Sequence, residues 1–134
     1  MFGRPAGNVG HMSSRPTITI PAGDPPTELE FADEVVGEGD EAVSGLFVEV
    51  HYAGSAWSTG DEFDASWNRD GTFDFRLGAG QVISGWDQGV AGMRVGGRRR
   101  ITIPPHLGYG SRGAGGVIKP DETLVFVVDL VSVR

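Results

Sequence analysis

The chain has 134 residues with 18 acidic side chains against 11 lysines and arginines, and its formal net charge is −7. This charge argues against nucleic acid or an anionic membrane as the main partner, and no apolar run approaches the roughly 20 residues of a membrane span. Because cysteine is absent and the N-terminus lacks the apolar segment of a signal peptide, we expect a cytoplasmic, single-domain monomer without disulfides or thiolate chemistry.

The first residues are polar and aperiodic and end in Gly-His-Met, which a common cloning site encodes. We interpret residues 1–11 as a vector-derived leader, with a natural flexible arm as the alternative. Residues 12–27 form a proline-rich arm, and residues 28–134 are the expected domain. Within the arm, residues 17–20 alternate like a short strand, but neighbouring prolines confine them to a sheet edge or an extended segment.

An acidic strip follows, with eight Asp and Glu residues between Asp24 and Glu41 and no lysine or arginine among them. A basic partner or a metal would be the functional interpretation. Its spacing matches no metal-binding loop, so we favour a solvated face around a first strand.

Alternating apolar residues predict the next strands. Leu46–Tyr52 places Leu46, Val48, Val50 and Tyr52 on one face, and we interpret His51, on the other face, as a surface histidine without a partner. An extended segment at 63–67 follows between two turns, and Thr72–Leu77 is another alternating strand.

The middle of the chain predicts one short helix among the strands. Trp86, Val90 and Met93 are spaced to share one helical face. Ser84 is the expected N-cap, and Asp87 stands where a capping-box acid would lie. One small helix with strands on both sides predicts an α+β fold in which a sheet wraps around the helix.

Two strands and a loop complete the chain. Arg98–Ile103 is a strand whose three arginines alternate between faces. We interpret them as balancing the acidic strip, with nucleic-acid binding as a weaker alternative. Leu107–Lys119 is a glycine-rich loop of functional length, but it lacks the Gly-Lys-Ser/Thr of a phosphate loop. Thr123–Val133 is the last strand, with one face directed at Trp86.

No familiar catalytic constellation assembles from these residues. The chain has three histidines without metal spacing and no Gly-x-Ser-x-Gly elbow. What remains is a set of aromatic residues near glycine-rich bends: Tyr52, Phe63, Phe73, Trp86, Tyr109 and Phe126. They form either ordinary core or the lining of an apolar pocket, and the pattern leaves both interpretations open.

Five stretches in register carry a family resemblance: 50–54 (VHYAG), 62–66 (EFDAS), 82–90 (VISGWDQGV), 107–110 (LGYG) and 123–126 (TLVF). Across about Glu28 to Arg134 the chain resembles the FKBP-type peptidyl-prolyl cis-trans isomerases (immunophilins), as a small, single-domain, bacterial-like member. The resemblance implies a five- or six-stranded antiparallel half-barrel around one short α-helix. It also implies isomerisation of Xaa-Pro bonds in peptides and unfolded proteins, assistance to folding and binding of rapamycin-type macrolides, without cofactor or metal.

The resemblance also assigns site residues. The catalytic residues it implies are Tyr52, Asp64, Trp86, Tyr109 and Phe126. The substrate-binding residues it implies are Phe63, Phe73, Val82, Ile83 and Ile118. In the family, the tryptophan is the floor on which the proline ring sits, and the aromatics matching Tyr52, Phe63 and Phe126 are walls. Ile83 would offer its backbone N–H, and Tyr109 its hydroxyl, to substrate carbonyl oxygens.

The sequence departs from the family in the glycine-rich loop. Ala114 and Gly115 stand where many members have His and Pro, Leu107 replaces a frequent aromatic, and Lys119 replaces a frequent proline. We expect a looser, smaller loop that changes the preferred residue before proline and weakens macrolide binding. Trp67 either packs on the surface or extends the substrate contact. The alternative function is a non-catalytic module that binds proline peptides and regulates a partner.

Overall fold

The computed structural model describes residues 14–69 and 71–134; the predicted leader, residues 1–11, lies outside them. In this part of the chain, six strands form one antiparallel sheet and a short helix lies against it. The elements are β1 (Glu30–Val35), β2 (Phe47–Ala56), β3 (Glu62–Ala65), β4 (Phe73–Arg76), α1 (Ser84–Gly89), β5 (Arg98–Ile103) and β6 (Leu124–Val133), with 3₁₀ turns at Ser66–Asn68 and Pro105–Leu107. The predicted α+β class, with an antiparallel sheet around one helix, is confirmed.

The strand order is β1-β5-β6-β2-β3, and β4 also pairs with β2. Along one edge of β2, Phe47–Val50 pairs with β4 and Ala53–Ser55 pairs with β3, while the other edge pairs with β6. The register against β6 shifts between Glu49 and Val50. Such a shift bends a strand and increases its twist, as a sheet that curls over a helix requires.

The predicted apolar residues pack into the sheet, since Trp86 in the helix and Val90 and Met93 just after it are all buried. The helix also carries glycine where it approaches β5. A Cβ atom at Gly85 would lie 2.5 Å from the side chain of Ile103, which is closer than atoms can pack. Glycine is therefore needed here for the close approach of helix and strand, although it weakens a helix by about 1 kcal/mol.

The predicted capping of this helix is wrong. The N-cap position is occupied by Ile83, and no side chain caps the helix. The Asp87 carboxylate instead accepts hydrogen bonds from the backbone N–H groups of Gly78 (2.8 Å) and Gly80 (3.0 Å). Both glycines have positive φ, so the preceding turn folds back and directs its N–H groups at Asp87.

The arginine triplet on β5 is held by partners within the chain. Arg99 pairs with Asp33 of the acidic strip at 2.7 Å, as predicted, and also donates to the carbonyl of Gly89 at the end of the helix. Arg98 pairs with Asp129 on β6 at 2.6 Å, so its acid does not come from the strip. The hydrogen bonds that Arg98 donates to the Asp129 carboxylate raise the pKa of Arg98.

The outer face of the sheet, away from the helix, is also buried. On β6, Val125 and Val127 point outward and are nonetheless 0% and 2% exposed. The arm, residues 14–27, forms no helix or strand and lies against this face. Three side-chain donors hold its carbonyls: Arg98 binds Ser14 (2.6 Å), Arg100 binds Thr19 (2.8 Å) and Trp57 binds Gly23 (3.3 Å).

Candidate active site

A cavity of about 290 Å³ opens between the helix and the concave side of the sheet. Its lining residues are Tyr52, Phe63, Asp64, Phe73, Gln81, Val82, Ile83, Trp86, Tyr109 and Phe126. We call it the aromatic pocket. All the predicted site residues except Ile118 line it, although they come from β2, β3, β4, β6, the helix and two loops. Ile118 is absent from the lining and is buried in the same core cluster as Trp86 and Phe126. Gln81 is a lining residue that sequence reasoning missed.

Trp86 forms the floor of the pocket because the first turn of the helix holds it under the sheet, where it is 5% exposed. Tyr52 and Phe126 stand nearly perpendicular to its ring, with centroids 4.9 Å and 5.2 Å away. Phe63 in turn stands edge-on to Phe126 at 5.4 Å. Edge-to-face pairs of this kind are favourable for aromatic rings and hold them rigidly, so the pocket has an apolar floor with upright walls.

One wall carries a polar network of three side chains. The Tyr52 hydroxyl donates to Asp64 Oδ2 at 2.6 Å, and Arg69 donates to Asp64 Oδ1 at 3.1 Å and to the Tyr52 hydroxyl at 2.8 Å. Sequence reasoning placed Arg69 in a turn and missed its contact with the site. No pattern could have revealed it, because the 3₁₀ turn after β3 brings a residue five positions along the chain back to Asp64.

This network sets the protonation states of its members. Burial alone would raise the pKa of Asp64, but the hydrogen bonds from Tyr52 and Arg69 outweigh it, so the pKa of this carboxyl is lowered. Burial, followed by the hydrogen bond to Asp64, raises the pKa of Tyr52 to about 12. At neutral pH the site therefore holds a carboxylate and a neutral phenol, and neither is poised to transfer a proton.

The rim of the pocket offers two donors. The backbone N–H of Ile83, just before the helix, donates to no group of the described residues, and the Tyr109 hydroxyl likewise makes no hydrogen bond within them. Tyr109 is 42% exposed and lies in the glycine-rich loop. Hydrogen bonds from Gly113 to Tyr109 and between Ala114 and Ile118 close this loop on itself.

His51 and Trp67 lie apart from the pocket. The structure corrects the interpretation of His51 as a histidine without a partner, since its ring stacks on Trp67 at 4.1 Å and its Nδ1 lies 2.8 Å from Ser66 Oγ. Trp67 is therefore half-buried against His51, and it does not line the pocket. Of its two interpretations, the packing role is the one the structure supports.

Two other features bear on function. Among the described residues, no three His, Asp or Glu side chains cluster as a metal site would require. None of the helices in residues 14–69 and 71–134 is long and apolar enough to cross a membrane.

Comparison with known proteins gives consistent matches. The family model for the FKBP-type peptidyl-prolyl cis-trans isomerase matches residues 39–131, a range within the expected domain. An FK506-binding protein of Streptomyces anulatus is 60% identical over 89% of this chain and 97% of its own. A probable FK506-binding protein of Corynebacterium glutamicum is 48% identical over 88% of this chain and 98% of its own. The crystal structure of AtFKBP13 is similar with a TM-score of 0.74 and 41% identity, covering 82% of this chain and 96% of that one.

Proposed function

This chain belongs to the FKBP-type peptidyl-prolyl cis-trans isomerase family, and from that premise we propose that its aromatic pocket is where it isomerises Xaa-Pro bonds. Membership makes the protein a peptidyl-prolyl cis-trans isomerase. The observation that carries the proposal is the cavity floored by Trp86 and walled by Tyr52, Phe63 and Phe126, because its volume and its aromatic floor and walls suit a proline ring.

The chemistry requires a lowered barrier and no nucleophile. Rotation about an amide is opposed by resonance, with a barrier of about 18–20 kcal/mol, while the cis and trans forms of an Xaa-Pro bond are close in energy. In the twisted transition state the amide loses its conjugation and much of its dipole. A dry pocket with apolar walls therefore favours this state over the planar amide, which water solvates better.

Donors at the rim orient the substrate in this mechanism. The N–H of Ile83 and the hydroxyl of Tyr109 bind carbonyl oxygens of the peptide, which fixes the backbone while the Xaa-Pro bond turns. Asp64 acts as an organising carboxylate, since Tyr52 and Arg69 both hold it at the wall. Its role is electrostatic and needs no proton transfer.

The same pocket is the proposed site for rapamycin-type macrolides, and the proposed biological role is assistance to protein folding. Support for macrolide binding comes from relatives that are named for binding FK506 and share about half or more of this sequence. Support for the folding role is chemical, since uncatalysed isomerisation takes tens of seconds and limits folding rates.

The test is the cis-to-trans rate of a chromogenic Xaa-Pro peptide at low temperature, with and without protein and with excess macrolide. We expect acceleration that the macrolide abolishes. Macrolide binding without acceleration would support the non-catalytic module instead. If the protein neither accelerates the reaction nor binds macrolide, the function must lie on another face. A cytoplasmic location and a monomeric state stay predictions, which cell fractionation and light scattering can check.

A further inference from the structure

A second cavity, of about 150 Å³, lies next to the aromatic pocket. Phe63 lines both cavities and is the wall between them. We call the second cavity the side cleft. Its lining residues are Ala56, Thr59, Asp61, Glu62, Phe63, Val117, Lys119 and Glu122. A peptide whose proline occupies the aromatic pocket has residues on either side spaced about 3.3 Å apart, so a neighbour of the proline can reach the cleft.

The lining of the side cleft is divided into an apolar part and an acidic part. Phe63, Val117 and Ala56 offer carbon surface, whereas Asp61 and Glu122 bring carboxylates. Lysine and arginine side chains have this same division, with an aliphatic stem and a charged head. An apolar side chain would contact only the apolar part of the lining favourably, and the carboxylates of the acidic part would repel an acidic side chain.

Glu122 is the unusual member of this lining. It is 6% exposed, and its carboxylate accepts hydrogen bonds from the backbone N–H (3.0 Å) and hydroxyl (2.6 Å) of Ser58. It pairs with no lysine or arginine of the described residues. A buried carboxylate is costly without a cation, and its two oxygens can accept more bonds than Ser58 supplies.

The net charge around the side cleft is negative, so one added cation would neutralise it. Glu62 is already neutralised by Arg15 at 2.5 Å. Asp61 and Glu122 then face Lys119, which makes no ion pair with a described residue, so the net charge of the cleft is close to −1.

We propose that the side cleft is a specificity subsite that binds a lysine or arginine side chain close to the proline of a peptide substrate. This inference rests on the proposed function and names the substrate class for it: proline-containing segments with a basic residue on the side of the proline that faces Phe63.

The experiment compares pairs of chromogenic peptides that carry Lys or Gln either directly before the proline or one residue earlier. The readout is the ratio of kcat/KM between the Lys and Gln peptides. At one of the two positions we expect a ratio of about five for the unaltered protein. Asp61→Asn and Glu122→Gln should each bring this ratio towards one, whereas Lys119→Gln should increase it. Salt should reduce the ratio because it screens the charges.

Glu38→Gln is the matched control, since it removes an exposed carboxylate outside the cleft and should leave the ratio unchanged. Asp61 is exposed, so its variant reports on charge even if Glu122→Gln fails to fold. A ratio of one at both positions, or a ratio that Asp61→Asn does not alter, would overturn the subsite while the isomerase assignment stands. Failure to accelerate any of the peptides would overturn the proposed function itself, and the subsite with it.

Discussion

At the scale of single residues, Tyr52 joins the packing of the pocket to its electrostatics. Its ring stands on Trp86, while its hydroxyl binds Asp64 and receives a bond from Arg69. Since the hydroxyl and the carboxylate satisfy each other, neither can be removed without leaving the other group short of a partner in a half-buried place. The phenol is therefore a structural part of the wall as well as a predicted catalytic residue.

The raised pKa of Tyr52 predicts a loss of stability at alkaline pH. The folded phenol keeps its proton up to a pKa of about 12, whereas the unfolded one loses it near 10.0. The contribution of the neutral Tyr52 phenol to the free energy of unfolding is therefore complete below pH 10 and is lost between pH 10 and 12. We expect Tyr52→Phe to cost about 1 kcal/mol at pH 8 and to lose less stability than the unaltered protein between pH 8 and 11, in urea titrations. The control variant Tyr109→Phe should lose as much stability at alkaline pH as the unaltered protein. A smaller loss in that variant would show that Tyr109, and not Tyr52, causes the alkaline destabilisation.

Trp86 is the residue on which the pocket assignment depends most. Trp86→Leu should retain the fold, because the indole N–H has no acceptor among the described residues and its removal breaks no hydrogen bond. The variant should lose about 3 kcal/mol of stability and bind macrolide at least about ten-fold more weakly, since the loss of a large aromatic contact costs more than 1.4 kcal/mol. Calorimetric titration measures the affinity. Trp67→Leu, outside the pocket, is the control, and equal affinity in Trp86→Leu would refute the pocket assignment.

At the scale of elements, the helix and the sheet determine each other's position. The helix has only six residues and no side-chain cap, so it cannot be stable in isolation. Its two buried glycines, Gly85 and Gly89, let it approach Ile103 and Ile101 of β5. This approach brings Trp86 under Tyr52 and Phe126. The geometry of the site therefore depends on glycine, which has no side chain, at positions 85 and 89.

Gly85→Ala tests this dependence. Alanine is the better helix former by about 1 kcal/mol, yet its Cβ would overlap the side chain of Ile103. We expect a net destabilisation of about 1–3 kcal/mol, with lower isomerase activity because Trp86 shifts with the helix. Thermal unfolding and the peptide assay measure the two effects. Gln88→Ala, exposed on the same helix, should be neutral, and a stabilised Gly85→Ala would show that the contact is not limiting.

At the scale of the whole molecule, the sheet is covered on both faces by different parts of the chain. The helix covers the concave face, and the arm crosses the outer, convex face that points away from the helix. Ile18 and Ile20 of the arm are half-buried, while the intervening Thr19 is exposed. The alternation seen in the sequence therefore has a physical cause, although the segment forms no strand.

Removal of residues 1–27 should uncover Val125 and Val127 and lower the free energy of unfolding by about 2–4 kcal/mol. At a temperature where the truncated protein is folded, the aromatic pocket should remain active, since no arm residue lines it. Denaturant titration and the peptide assay test both statements. Removal of residues 1–11 alone, the expected leader, is the matched comparison. An unaltered stability after the longer truncation would show that the arm does not protect the convex face.

The sequence by itself determined the strands, the one short helix with Trp86 at its buried face, and nine of the lining residues, which resemblance to the family assigned. The strands and the helix follow from local periodicity, and the lining residues follow from motifs whose order and spacing match those of the family. Only the tertiary structure decided which acid meets each arginine, that Asp87 binds a turn, that His51 stacks on Trp67 and that Arg69 reaches Asp64. Contacts across a sheet or around a 3₁₀ turn join residues whose spacing in the sequence follows neither the helix nor the strand period. Such contacts form only once the chain has folded, so the sequence pattern does not predict them.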